Sequence, residues 1–469
     1  MDQPRTLVQK LWDAHVIAEL GEGLCLLHVD RHLIHDLSGP ASLGALRRRG
    51  LGVRNPELTF ATPDHAVSTA SDRHDQSGEA SAKLVPLLRK RCAAENIKLF
   101  DIDDPAQGIV HVVGPELGLT LPGATVVCGD SHTCTHGGLG ALAWGIGSSE
   151  LTHVLATQTI VEERPKTLRV RVDGVRGAYV EAKDVILHLI AVLGADAGSG
   201  FALEYAGSCV RAMSVEERMT LCNLSIELGA KIGIVAPDES VFSYLAGREY
   251  APKGRLWEQA LAYFRTLASD DDARFDREFV LHAASVAPQV TWGTSPAHSM
   301  AVDAQVPDPA QAQSASARAA WHEALAYMDL SPGQRLLGLP IQQVFIGSCA
   351  NGRLSDLQLA ARVVQGRKVS KGVSAWVVPG SQSVKRQAEA LGLDQVFTSA
   401  GFDWRQPGCS MCSATNGEFV APGQRCVSTT NRNFVGRQGP GARTHLCGVA
   451  MAAAAAITGV ITDVRSFEG

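Results

Sequence analysis

Three cysteines have the setting for cofactor chemistry: Cys349 in Gly347-Ser348-Cys349-Ala350-Asn351-Gly352-Arg353, and the pair in Pro407-Gly408-Cys409-Ser410-Met411-Cys412. Alone, a Cys-x-x-Cys fits half of a zinc site, a dithiol redox pair, or two ligands of an iron–sulfur cluster. Cys349 alone reads equally as a buried core thiol. A structural zinc site asks for a fourth ligand, and no second Cys-x-x-Cys follows; Cys426, His445 and Cys447 lie in unrelated surroundings. Three thiolates without a fourth suit a 4Fe-4S cluster in which one iron has no protein ligand and acts as a Lewis acid.

A second group could move protons. Asp130-Ser131-His132 follows an apolar run and precedes the glycine-rich His136-Gly137-Gly138-Leu139-Gly140. Such a pair works either as a general acid with its imidazole oriented by the carboxylate, or as a turn cap beside a solvated histidine. Asp64-His65 repeats the pairing after Leu58-Thr59-Phe60-Ala61. On local grounds His111 is a core histidine and Glu204 a surface charge. Arg432 and Arg437, in Asn431-Arg432-Asn433-Phe434-Val435-Gly436-Arg437, can fork onto carboxylates or stand in a solvated loop.

Short β-branched runs alternating with helical patterns must position these groups, which predicts an α/β chain. Strands are expected at 125–127, 168–172, 232–235, 344–346 and 376–378, and helices over 7–19, 81–95, 148–161, 215–229 and 354–366. Cys349 then sits where a strand gives way to a helix, a place where open α/β folds bind ligands. A Pro, Ala, Ser and Gln-rich stretch at 295–318 reads as a linker, and a weaker break lies near 162–165. The chain therefore divides into 1–165, carrying the Asp–His pairs, 166–300, and 301–469, carrying the cysteines and arginines.

With 469 residues, 45% hydrophobic and 19% charged, several folded domains are expected. The net charge of −5 disfavours nucleic-acid binding. Met1-Asp2-Gln3-Pro4-Arg5 lacks the pattern of a secretion signal, and the Ala-rich 446–462 is too short and weak for a membrane span, so a buried helix and a cytoplasmic location are expected. Eleven scattered cysteines argue against a disulfide framework. No Gly-Lys dipeptide or Gly-x-Gly-x-x-Gly is present for a nucleotide.

In order and rough spacing, the Gly-Ser-Cys-x-Asn, Pro-Gly-Cys-x-x-Cys, Asn-Arg-Asn-Phe-x-Gly-Arg, Cys128-Gly129-Asp130-Ser131-His132-Thr133 and His-Gly-Gly-Leu-Gly blocks resemble the aconitase and isopropylmalate isomerase family. From Leu11-Trp12-Asp13-Ala14-His15 to the Ala-rich end, the likeness spans nearly the whole chain. It implies three α/β domains of the aconitase type around a central cluster cleft, without the swivelling fourth domain. It also implies a 4Fe-4S cluster on Cys349, Cys409 and Cys412, with one iron open to substrate. His132 with Asp130 takes the acid role, Asp64-His65 is the pair at the iron, His111 joins the acid–base network and Glu204 lies near the iron-bound water. Arg432 and Arg437 hold substrate carboxylates, and Asn351 and Asn431 bond cluster sulfurs or substrate.

The implied reaction is that of a hydro-lyase: 2-isopropylmalate is dehydrated and rehydrated to 3-isopropylmalate, as in leucine synthesis. The family's general base is a serine in a Gly-Ser-Ser-Arg loop, which is absent; the nearest string is Gly147-Ser148-Ser149-Glu150. The resemblance thus implies a small-subunit partner carrying the swivelling domain and the catalytic serine, with a small dicarboxylate as substrate. Ala350 and Gly352 replace the usual hydroxyl residues beside the cluster, Ser413 a usual Leu, and Ala66 a usual Asn. These departures favour, as the alternative, a paralogue acting on another 2-substituted malate such as citramalate. A redox or RNA-binding iron–sulfur protein is disfavoured by the two arginines and by the acidic charge.

Overall fold

The computed structural model describes residues 3–467, so Met1 and Asp2 of the N-terminal reading lie outside the described residues. The described chain forms two compact units, each assembled from separated segments. One takes the chain up to Ala66, Glu79–Val175 and Asp196–His282; the other takes Val67–Gly78, Arg176–Ala195 and the chain from Ala283 onward.

The first unit holds two parallel sheets. Across the first run Lys98–Leu99, Thr59–Thr62, Arg31–His35, Thr125–Cys128 and Leu142–Gly145. In chain order that is third, second, first, fourth, fifth. The strand order therefore reverses between Arg31–His35 and Thr125–Cys128, and open α/β sheets bind ligands at the carboxyl ends flanking such a point. The second sheet, Ile232–Val235, Phe201–Ala206, Lys166–Asp173 and Arg277–His282, is also parallel. One apolar core joins Leu7, Trp12, Val127, Leu151, Ile232 and Phe242.

Two predicted helices give way to strands here, and a third, expected over 215–229, passes into a 3-10 turn after Asn223. The helix expected over 7–19 stops at His15, and Val16–Gly21 pairs with Leu24–His28 instead. That over 148–161 stops at Thr157; Gln158 turns left-handed and Thr159–Glu163 completes the antiparallel sheet. In both cases β-branched residues (Val16-Ile17, Thr159-Ile160-Val161) gain more from strand pairing than from continuing the helix.

In the second unit a parallel sheet repeats the first one's order: Asp403–Trp404, Ser374–Val377, Gln343–Ile346, Arg425–Ser428, Arg443–Leu446. Its order reverses between Gln343–Ile346 and Arg425–Ser428. The Ala-rich segment is the buried helix Val449–Thr458, closed by the left-handed Gly459. At its start the Glu181 carboxylate accepts hydrogen bonds from the Val449 and Ala450 backbone N–H groups, as a helix N-terminus favours. The stretch 295–318 is ordered: Ser299–Ala301 pairs with Gln289–Thr291, and Trp292 stacks on His298. Among the described residues no helix is long and apolar enough to cross a membrane.

Candidate functional site: two sets of strand ends

In the first unit the chemistry gathers where three adjacent strands end. Thr59–Thr62 leads into Asp64-His65, Arg31–His35 into Asp36, and Thr125–Cys128 into Asp130-Ser131-His132. His65 Nδ1 lies 2.5 Å from Asp64 Oδ1 and its Nε2 3.3 Å from Asp130 Oδ2. Asp130 Oδ1 also accepts the His132 backbone N–H at 2.7 Å, and lies 3.3 Å from His132 Nδ1 and 3.5 Å from His111 Nε2. One carboxylate thus faces three imidazoles. Burial works against its charge, but hydrogen bonds from His111, His132 and His65 hold the Asp130 carboxyl well below the usual range.

Each partner is fixed in turn. His111 Nδ1 meets His136 Nε2 at 3.0 Å, and His136 Nδ1 meets Thr120 Oγ1 at 2.6 Å, so a hydrogen-bonded chain runs from Thr120 to His111, whose Nε2 faces Asp130. Glycines let the loop carrying His132 and His136 pack closely. A Cβ at Gly137 would lie 1.8 Å from the Gly233 carbonyl oxygen, which only glycine avoids. Asp64 Oδ2 accepts the Val110 N–H, tying the helix that carries His111 to the Asp64-His65 turn. His35, Asp36, Asp64 and His65 place ligand-type atoms within 4.8 Å of one another. Both Asp36 oxygens, however, accept the backbone N–H groups of Asp64, His65 and Ala66, so this carboxylate shapes the turn.

His132 Nε2 points at a residue that sequence reading missed: Glu227 Oε1, 3.1 Å away. Glu227 lies in a short turn, Leu224–Leu228, after the helix Val215–Asn223. Its only sequence signal is an acid within the otherwise largely apolar Leu224–Leu228. Glu204, singled out instead, lies within the strand Phe201–Ala206, and both its oxygens accept from Ser269 Oγ at 2.7 and 2.8 Å. The structure brings Asp64, His65, His111, Asp130 and His132 together; Glu204 is seated apart, with the loop that also meets Leu7.

In the second unit Cys349 follows Gln343–Ile346, through Gly347 and a left-handed Ser348 (φ 78°). Asn431 follows the neighbouring Arg425–Ser428, on the other side of the order reversal. Its amide spans two thiols: Nδ2 donates to Cys349 Sγ at 3.3 Å, and Cys412 Sγ donates to Oδ1 at 3.4 Å. All three thiols are nearly but not fully buried, at 7% exposed for Cys349 and Cys409 and 6% for Cys412. The Cys409–Cys412 turn closes through the Cys412 N–H on the Cys409 carbonyl, 3.0 Å.

A buried polar network holds that turn. Ser410, left-handed at φ 51°, donates its hydroxyl to Glu418 Oε2 at 2.5 Å. Glu418 also accepts from the Thr69 N–H and hydroxyl, both at 2.6 Å, and from Arg405 Nη2 at 3.0 Å. Burial raises the Glu418 carboxyl, but these donors outweigh it and hold it below the usual range. Asn351 donates to Asp356 Oδ1 at 3.1 Å. Arg432 directly follows Asn431, and Arg437 follows a turn in which its N–H bonds the Phe434 carbonyl. Both arginines are half-buried, while Asn433 pins the segment through Thr291, Gly293 and Thr444.

These two constellations stand in a chain whose residues 9–459 match the sequence pattern of the Aconitase family (aconitate hydratase). The chain belongs to the aconitase family. Within it, the "3-isopropylmalate dehydratase large subunit 1" of Bradyrhizobium diazoefficiens is 61% identical over 464 residues, covering 99% of this chain and 97% of that one. Among solved structures, the holo-form of Thermococcus kodakaraensis aconitase X aligns with a TM-score of 0.46 at 13% identity, over 91% of this chain and 89% of that one. Family membership goes with α/β architecture and parallel sheets, as the strand patterns indicated.

Proposed function

We propose that this chain is the large subunit of a 3-isopropylmalate dehydratase, a hydro-lyase that converts 2-isopropylmalate to 3-isopropylmalate through an alkene diacid. The observation that carries this reading is the likeness to the Bradyrhizobium large subunit over nearly all of both chains. The geometry supports it, because a dehydration needs a proton donor for the departing hydroxyl and groups that hold carboxylates, and the chain has both.

The donor set fits a 4Fe-4S cluster on Cys349, Cys409 and Cys412: three thiols near one strand-order reversal, two of them joined by the Asn431 amide. A cluster bound there supplies a Lewis-acidic iron for the substrate's hydroxyl and one carboxylate. His132 delivers the proton to the leaving hydroxyl, with Asp130 and Glu227 fixing the orientation of its ring. His65, held by Asp64, is a further acid–base group. Arg432 and Arg437 bind substrate carboxylates and stabilise their growing charge. The base that removes the carbon-bound proton comes from a small subunit.

The test is anaerobic co-purification with the cognate small subunit and reconstitution with iron and sulfide. About four irons per chain, and alkene formation from isopropylmalate in preference to citramalate and citrate, are expected. Preference for citramalate would replace the substrate assignment with that of a paralogue. Zinc in place of iron, or full activity without the partner, would overturn the reading.

A further inference from the structure

Lys183 lies on the helix Ala182–Leu193 of the second unit and is completely buried. Its ammonium donates to the Thr430 carbonyl at 2.6 Å, the Thr429 carbonyl at 3.0 Å and Asn351 Oδ1 at 3.4 Å. All three acceptors are neutral. An ammonium taken out of water is costly unless a negative charge faces it, and breaking up a buried pair leaves the same penalty.

The nearby carboxylates on its own helix are committed elsewhere. Glu181 accepts the Val449 and Ala450 N–H groups, and Asp184 accepts those of Gln289 and Glu181. Burial, together with Asp184, pushes Glu181 up to about 8, and burial pushes Asp184 up to about 7, which blunts their charge near neutral pH. Burial lowers the ammonium itself to about 8, and within its electrostatic reach the sulfurs of Cys447, Cys412 and Cys349 come ahead of the Glu181 carboxyl. Two of these are the proposed ligands that Asn431 joins, and Asn431 directly follows the Thr430 carbonyl that Lys183 grips.

We propose that Lys183 is a charge-balancing and positioning residue for the cluster: its ammonium is paired when Cys349 and Cys412 become metal-bound thiolates, and it fixes the Thr429–Asn431 segment against them. Three thiolates carry more negative charge than a 4Fe-4S core carries positive, so the loaded site adds net negative charge beside the ammonium. The inference rests on the reading that the three cysteines hold such a cluster. A fixed positive charge near a cluster favours its more reduced, more negative state, and so raises its reduction potential.

The experiment compares wild type with Lys183→Gln and Lys183→Arg, reconstituted anaerobically in the full chain. Iron and sulfide are counted, the cluster's midpoint potential is measured by EPR-monitored redox titration, and Tm is measured for the metal-free chains. For Lys183→Gln we expect a more negative potential and cluster loss to a chelator about tenfold faster, with the metal-free Tm unchanged or raised. Lys183→Arg is expected to keep the wild-type potential if it loads a cluster. An unchanged potential and loss rate in Lys183→Gln would overturn the proposal. So would a lowered metal-free Tm with an unchanged potential, which marks a purely structural strap. Should Lys183→Gln fail to load a cluster, equal failure of Lys183→Arg would overturn it, and loading by Lys183→Arg alone would support it. A wild-type chain that takes up no iron would instead remove the cluster reading itself.

Discussion

The sheets containing Arg31–His35 and Gln343–Ile346 share one strand order and carry their chemistry at the same point, yet they are finished to different degrees. At the first, carboxylates face imidazoles within the protein: Asp64 with His65, Asp130 with three histidines, Glu227 with His132. At the second, thiols meet an amide and a buried ammonium meets only neutral oxygens. Proton-transfer machinery can be completed by the chain itself, because carboxylates and imidazoles neutralise one another. On the proposed function, the thiol site is instead completed by inorganic ions.

Substitutions should therefore separate cleanly between the two. The largest effect is expected from Cys412→Ala or Cys409→Ala, which should abolish both cluster retention and activity, measured as iron per chain and alkene formation. His132→Ala should lower turnover about 10²–10⁴-fold with iron content unchanged. Loss of iron in that variant would break the comparison.

Glu418→Gln removes the charge that gathers Thr69, Ser410 and Arg405. It should cost about 3 kcal/mol in denaturant unfolding and loosen iron retention without altering the acid–base pH profile. Within the first unit, Glu227→Gln should slow turnover about tenfold or more, whereas Glu204→Gln should stay within about twofold because Gln keeps the bond with Ser269. Equal losses in the two variants would return Glu204 to the network.

The smallest effect is on stability toward acid. Asp130 is more acidic folded than unfolded, so its contribution is fully present above about pH 4 and is lost as the pH falls through its lowered folded value. Acid unfolding followed by circular dichroism should start at lower pH for wild type than for a chain with the pairing weakened by His111→Ala.

Much of this was readable from local pattern. Strand ends at Asp130 and Cys349 follow from short β-branched runs next to glycine, whereas the cysteine spacing alone left zinc, redox and cluster readings open until the family resemblance chose among them. Glu227 was not readable, because its partner is 95 residues away and its neighbours are apolar. Nor was Lys183, which looks like any helical lysine until burial removes its water. Residues whose meaning depends on a distant partner's charge leave no periodic trace.

The segmental make-up of the second unit also bears on synthesis. Thr69 and Glu418 are 349 residues apart, so at about 5–20 residues per second Thr69 waits roughly 20–70 s on the ribosome for its partner. Lys183 waits for Thr430 across 247 residues. Cys349, Cys409 and Cys412 all emerge late, after the Asp–His residues have been made. On the proposed function, metal delivery is then a late event in this chain's maturation, and iron shortage would strand molecules whose Asp–His half is already built.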